Sequence, residues 1–170
     1  MLYYFESHPE LVSGKDVLHC APEAEARDWL TRMAGTYRTL DATPGNVDFV
    51  RDLTDTGLPN ASFDLVMCHR VLEHVLDDIG AMREVYRLLR RGGVLNLSVP
   101  QAAHRAQTAE WCVPDESHHG HVRQYGQDLF ARLADTGFSV EVEPWLLTRP
   151  RADLLAHSAF PMRMVNARKH

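Results

Sequence analysis

Asp41 stands 20 residues after Ala21, about the spacing at which an acid downstream of a strand, turn and helix start reaches the hydroxyls of a ribose. A carboxylate is acceptor-only, so one acid can take both hydroxyl protons at once. Asp52, followed by Leu53 and Thr54, is a second acid at the end of an apolar run, where it can cap a turn or accept from a ligand. Farther along, Glu73-His74 follows another apolar run, and DESHHGHVRQYG (115–126) is the densest polar and aromatic cluster in the chain. His118, His119 and His121 within it are metal-ligand types, and Glu73 is the acid such a site would recruit. Contiguous loop histidines lack the i, i+4 spacing of a strong metal motif, so His118 and His119 read as surface residues. His121 is the better candidate for substrate contact or general-base work, because an imidazole near its ordinary pKa takes a proton at neutral pH.

These residues need a frame, and the hydrophobic periods supply one. Asp16–Cys20, Tyr37–Leu40, Val47–Arg51 and Phe63–Cys68 are short apolar runs of strand length, and Glu23–Met33 has the character of a helix. From Leu72 through Val75, Leu76, Ile79, Met82, Val85, Leu88 and Leu89 the spacing turns to threes and fours. That predicts a helix beginning near Asp77, with Arg90 and Arg91 in its last turn and Gly92-Gly93 ending it. Val94–Val99 resumes as a strand stopped by Pro100, so the two strands and the helix form a parallel βαβ unit. Gln101–Gln124 shows no strong period and reads as a loop at the ligand-binding edge of the sheet. Helix Gln127–Thr136 and strands Ser139–Val142 and Met162–Ala167 complete the pattern, and the apolar insertion Trp145–Pro161 either lines a pocket or buries itself in a dimer contact.

FDLVMCHRVLEHV, then REVYRLLRRGG and a strand ending SVP, resembles the middle of a class I S-adenosylmethionine-dependent methyltransferase of the type 11-like group. The turn HCAPE resembles a subgroup with His-x-Ala-Pro-Glu in place of the glycine-rich loop. The resemblance runs from about Asp16 to Lys169 and implies an α/β, Rossmann-like fold. Its mostly parallel seven-stranded sheet carries helices on both faces under a reduced N-terminal cap. It also implies S-adenosyl-L-methionine as cofactor, held by His19, Ala21, Glu23, Asp41, Asp52, Leu53 and His69. Glu23 would receive the ammonium of the methionine moiety, Asp41 the ribose, and Asp52 with Leu53 the adenine. His121 and His69 are the catalytic candidates. Some methyltransferases hold a divalent metal through Glu-x-x-Glu-His at this place, but here Arg70 stands where the first acid would be. A cation repels a metal ion, so no metal is assigned, and His74 is expected to be a buried histidine that fixes its loop.

At 170 residues, 45% hydrophobic and 24% charged, the chain is expected to form one soluble domain over residues 1–170. A net charge of -5 without a long basic run speaks against nucleic acid; with the compact size and the apolar insertion it favours a small molecule or a sugar-like metabolite, to which the resemblance implies methyl transfer at an oxygen or nitrogen nucleophile. Cys20, Cys68 and Cys112 have no CxxC spacing, and the N-terminus has no leader pattern, which together suit reduced thiols in a cytoplasmic protein. Apolar runs are too short to span a membrane. The short N-terminal cap predicts a site that is open or closed by a second subunit in a homodimer. Two other functions fit the same pattern: a cofactor-binding cyclase or auxiliary catalyst that transfers no methyl, and a non-catalytic interaction module.

Overall fold

A computed structural model describes residues 1–102, 104–143 and 164–170; the insertion Trp145–Pro161 lies outside them, as do Met162 and Arg163. Helix α1 (Leu2–Ser7) is followed by strand β1 (Asp16–Cys20), helix α2 (Ala24–Met33), β2 (Thr36–Asp41), β3 (Phe49–Val50) and β4 (Phe63–His69). Next come α3 (Asp78–Leu88), β5 (Leu89–Ser98), β6 (Ala109–Asp115), β7 (His121–Gln124), α4 (Leu129–Asp135), β8 (Phe138–Glu143) and β9 (Met164–Lys169). Seven strands form one sheet in the order β3-β2-β1-β4-β5-β9-β8. β1 to β5 are parallel and β9 is antiparallel to both β5 and β8. This is the α/β architecture that the alternation of apolar runs and helical periods implied.

Strands buried on both faces read as continuous apolar runs, and β4 is the clearest case. Leu65 and Met67 pack with α1 and α2 on one face, while Val66 and Cys68 join α3 and α4 on the other. Asp77 caps α3 by accepting from the Gly80 N–H at 2.8 Å, as the sequence placed it.

Four local readings change. Helix α3 ends at Leu88, not at Gly92-Gly93. Leu89 instead pairs with Phe63, and a register shift between Phe63 and Leu65 absorbs the Arg-Arg-Gly-Gly segment into β5. Arg90 then pairs with Asp16 at 2.8 Å and Asp64 at 3.0 Å, so its charge ties strands together rather than meeting a helix dipole. Leu76 precedes the helix and is 64% exposed. β3 shrinks to two residues because Asp48 turns back to accept from the Thr39 N–H and hydroxyl. Within Gln101–Gln124, the expected loop holds the antiparallel pair β6–β7.

Beside the sheet, Glu84 accepts from Arg87 Nε and Nη2 at 2.7 Å each, and from the Thr56 N–H and hydroxyl at 2.9 and 2.6 Å. The Arg87 pairing chiefly holds the Glu84 carboxyl down to about 2, against an ordinary 4.5. A depressed acid contributes its stability above the unfolded pKa and loses it as pH falls toward the folded one. The thermal midpoint is therefore expected to drop between about pH 4.5 and 2. Glu84→Gln should lower the midpoint at pH 7 and flatten that acid limb; an unchanged limb would exclude Glu84 as a main source of it.

Candidate functional site

A cleft of about 550 Å³ opens at the carboxyl edge of the sheet. The chain runs from β1 outward through β2 and β3, then returns to start β4 on the other side of β1. Such a reversal leaves a crevice beyond the strand ends, because the two flanking connections depart to opposite faces. Cys20 and Ala21 from the end of β1, Leu40 and Asp41 from β2, Asp52 and Leu53 after β3, and Arg70, Val71, His74 and Leu76 after β4 are among its walls.

Ala21 sits at φ 48°, in the left-handed region. A Cβ costs roughly 1–2 kcal/mol there, which is why a glycine would ordinarily occupy the position; alanine keeps the obstruction to one methyl. Its N–H donates to the Leu40 carbonyl at 2.8 Å, fixing the turn against β2. Asp41 commits Oδ1 to the Thr43 N–H at 2.8 Å, and Asp52 commits Oδ1 to the Thr54 N–H at 2.8 Å and hydroxyl at 2.7 Å. Those Thr54 bonds hold the Asp52 carboxyl below its ordinary range. Each acid shapes its own turn with Oδ1. Leu40 and Leu53 lie between them as apolar walls.

Of the expected cofactor residues, Ala21, Asp41, Asp52 and Leu53 come together on this cleft. His19, Glu23 and His69 are not brought to its wall. His19 is fully buried, with Nδ1 at 2.9 Å from the Tyr37 hydroxyl and Nε2 at 3.1 Å from Glu23 Oε2. Glu23 thus spends its carboxylate on a histidine of its own turn. His69 lies beside Phe5 of α1, with ring centroids 6.2 Å apart, Nδ1 3.0 Å from the Ser98 hydroxyl, and Nε2 without a partner among the described residues. Burial pushes the His69 imidazole down to about 3, so it is neutral at physiological pH and a poor proton acceptor.

The loop after β4 is stitched to β7. The Val122 N–H donates to the Glu73 carbonyl at 2.9 Å, and His74 Nδ1 lies 3.3 Å from the Gly120 carbonyl. Arg123, 3% exposed, donates to the Leu72 and Leu76 carbonyls at 2.8 Å each, to the Val75 carbonyl, and to Glu110 at 3.0 Å. Tyr125 donates to Asp78 at 2.8 Å, and Arg132 pairs with Asp78 and Glu110 at 3.0 and 2.8 Å. This clamp went unread in the sequence, as did the wall positions of Arg70, Val71 and Leu76. The signal available for the clamp was the cluster HVRQYG itself, which sets the cation Arg123 between a histidine and a tyrosine.

Inside the clamp, Glu73 is fully buried and His121 is 9% exposed. Among the described residues, neither carboxylate oxygen of Glu73, nor Nε2 of His121, has a hydrogen-bond partner. Burial raises the Glu73 carboxyl to about 7 and lowers the His121 imidazole. His74 is exposed on the cleft wall rather than buried as expected, because the Gly120 carbonyl draws its ring outward from the core. His119 faces His121 with ring centroids 6.0 Å apart, and His118 pairs with Asp115 at 2.8 Å in the open. The three cysteines are free thiols, and no helix of the described residues is long and apolar enough to cross a membrane.

Comparison with known proteins places this geometry. The family model described as methyltransferase domain matches residues 13–97, half of the chain. A Mycolicibacterium smegmatis protein named "Probable S-adenosylmethionine-dependent methyltransferase" is 30% identical over 117 residues, covering 58% of this chain and 46% of its own length. The chain thus spans about half the length of that relative. Among solved structures, an S-adenosylmethionine-dependent methyltransferase from Mesorhizobium loti superposes with a TM-score of 0.70 at 18% identity, covering 98% of this chain and 96% of the other. The 1,6-didemethyltoxoflavin-N1-methyltransferase of Burkholderia thailandensis, solved with its substrate and S-adenosylhomocysteine, gives 0.66 at 14% identity, covering 96% and 75%.

Proposed function

The chain belongs to the methyltransferase domain family, whose methyl donor is S-adenosylmethionine, and from that premise we propose that it methylates an oxygen or nitrogen of a small-molecule acceptor. The observation that carries this reading is the convergence of Ala21, Asp41, Asp52 and Leu53 on one cleft at the strand reversal. The residues present fit the donor. Asp41 Oδ2 accepts from ribose hydroxyls, Asp52 accepts from the adenine amino group, and Leu40 and Leu53 flank the base. Asp41, Asp52 and Asp77 share the wall with Arg51 and Arg70, so it offers both signs of charge to a ligand that carries a sulfonium, an ammonium and a carboxylate.

When bound, the donor supplies a methyl carbon already activated by a sulfonium leaving group. The chain's part is to hold the acceptor in line with that carbon and to keep water out. No nucleophilic side chain is needed. A proton must leave only when the acceptor is a hydroxyl or a protonated amine, and the site around His121 is proposed to take part in its removal. His69, held neutral by burial, serves as a positioning residue beneath the turn and not as the base.

Calorimetric titration with S-adenosylmethionine and S-adenosylhomocysteine tests the proposal. Binding of both well below about 1 mM, roughly 4 kcal/mol, is the expected result; absence of binding would favour an interaction module. Release of S-adenosylhomocysteine in the presence of small hydroxyl or amine acceptors then separates a methyltransferase from a cofactor-binding cyclase or auxiliary catalyst.

A further inference from the structure

We infer that Glu73, His74 and His121 form a binding site for a first-row divalent cation of the zinc or iron(II) kind, open on its cleft side to an oxygen of the acceptor. Only the identity of that last ligand rests on the methyl-transfer reading. One donor atom from each of the three residues lies within 4.8 Å of the other two. Two of the three residues also carry buried polar atoms that no other described residue satisfies, namely both oxygens of Glu73 and Nε2 of His121. Buried carboxylates and imidazole nitrogens in native interiors are paired with a donor, a water or an ion. Here two bare groups of acceptor character face each other, and an ion that takes lone pairs from both resolves them together.

Two imidazoles and one carboxylate are the protein ligands of an open three-ligand site. The outer contacts suit it as well. With Nδ1–H donating to the Gly120 carbonyl, His74 keeps the Nε2 lone pair for an ion, the usual backing of a metal-bound histidine. On the other side, Trp111 Nε1 donates to the His121 carbonyl at 2.6 Å and the Val122 N–H to the Glu73 carbonyl at 2.9 Å, so the backbone of both ligands is fixed. Donors around one ion at about 2.1 Å lie roughly 3–3.6 Å apart. The remaining approach falls to His74, the exposed member, by rotation about its side chain. His74, Arg70 and Val75 line the cleft, so the open coordination positions face the acceptor. Acceptor hydroxyls, whose acidity rises on binding a cation, are the favoured substrate class.

Arg70 was the reason for assigning no metal from sequence. A three-ligand site makes no use of position 70, and the Arg70 side chain is exposed, where solvent and salt screen its charge. It weakens the site without closing it.

The test uses the full chain, stripped with chelator and titrated with Zn²⁺ alone, with no methyl donor present. One equivalent is expected to bind at about 10 µM or tighter. Glu73→Gln and His121→Ala should each weaken binding roughly 30-fold or more, as loss of a direct ligand exceeds the effect of an outer-shell change. Arg70→Gln should tighten it several-fold, and a His104→Ala/His118→Ala double variant should leave it unchanged. No binding below about 1 mM, or a site that survives Glu73→Gln and His121→Ala, overturns the inference. Should a variant not fold, the visible spectrum of Co²⁺ in the wild-type protein decides: intense low-symmetry bands support the site, and the weak bands of an octahedral surface ion count against it. Titration of the same stripped protein with S-adenosylhomocysteine keeps the two readings apart, since donor binding without Zn²⁺ binding removes only the metal, and the converse removes only the donor.

Discussion

Arg123→Met is expected to cost about 3–5 kcal/mol of unfolding free energy, the range for removing one partner of a buried, hydrogen-bonded charge network. The guanidinium serves three carbonyls of the loop after β4, those of Leu72, Val75 and Leu76, and pairs with Glu110 across β6–β7. Methionine fills much of the same volume but donates nothing. The Val75 and Leu76 carbonyls would lose the Arg123 donor, the Leu72 carbonyl would keep the longer bonds from the Val75 N–H and the Tyr125 hydroxyl, and among the described residues Glu110 and Asp78 would retain Arg132 as cationic partner. At about 2–4 °C per kcal/mol for a chain of this size, the thermal midpoint should fall by roughly 6–20 °C. Arg123→Lys keeps the charge but cannot fork to several carbonyls, so it should recover only part of the loss. A cost under about 1 kcal/mol would show that the loop is held by its apolar contacts instead. The same loop forms one wall of the cleft, so the donor affinity of a folded Arg123→Met protein should fall as well.

The second large effect is on binding. Asp41→Ala should weaken S-adenosylmethionine by about 2–3 kcal/mol, roughly 30- to 150-fold, the worth of hydrogen bonds to a charged acceptor. Part of that loss would come from the turn, since Asp41 Oδ1 also accepts from the Thr43 N–H. Asp41→Asn separates the two roles. Its carbonyl can keep the Thr43 bond while the second acceptor oxygen is lost, so the fold should hold to within about 1 kcal/mol and the affinity drop about tenfold. Isothermal titration of both variants checks this. Affinities equal to wild type in both would remove Asp41 from the ribose site.

Much of the frame was legible because it is built from local periods. β1 and β4 are doubly buried, so their apolar runs stand out without regard to partners, and α3 announces its start through Asp77 and its 3–4 spacing. Its end was misread at Leu88-Leu89-Arg90-Arg91. Those residues continue a helical pattern well, and only pairing of Leu89 with Phe63 across the sheet pulls them into a strand. The β6–β7 pair was invisible for a related reason. Its buried residues include His121 and Arg123, and polar residues turned inward give no hydrophobic period.

The sequence by itself determined the order of strands and helices along the main sheet, the membership of the family, and the acids at the end of β2 and just after β3. Each of these is written within a few residues or at a fixed spacing along the chain. Tertiary structure alone decided that His19 and Glu23 satisfy each other away from the cleft, and that Glu73, His74 and His121 meet across 47 residues of chain. A side chain's facing and its distant partner follow from sheet order and loop packing, and neither is encoded in the run of residues around it.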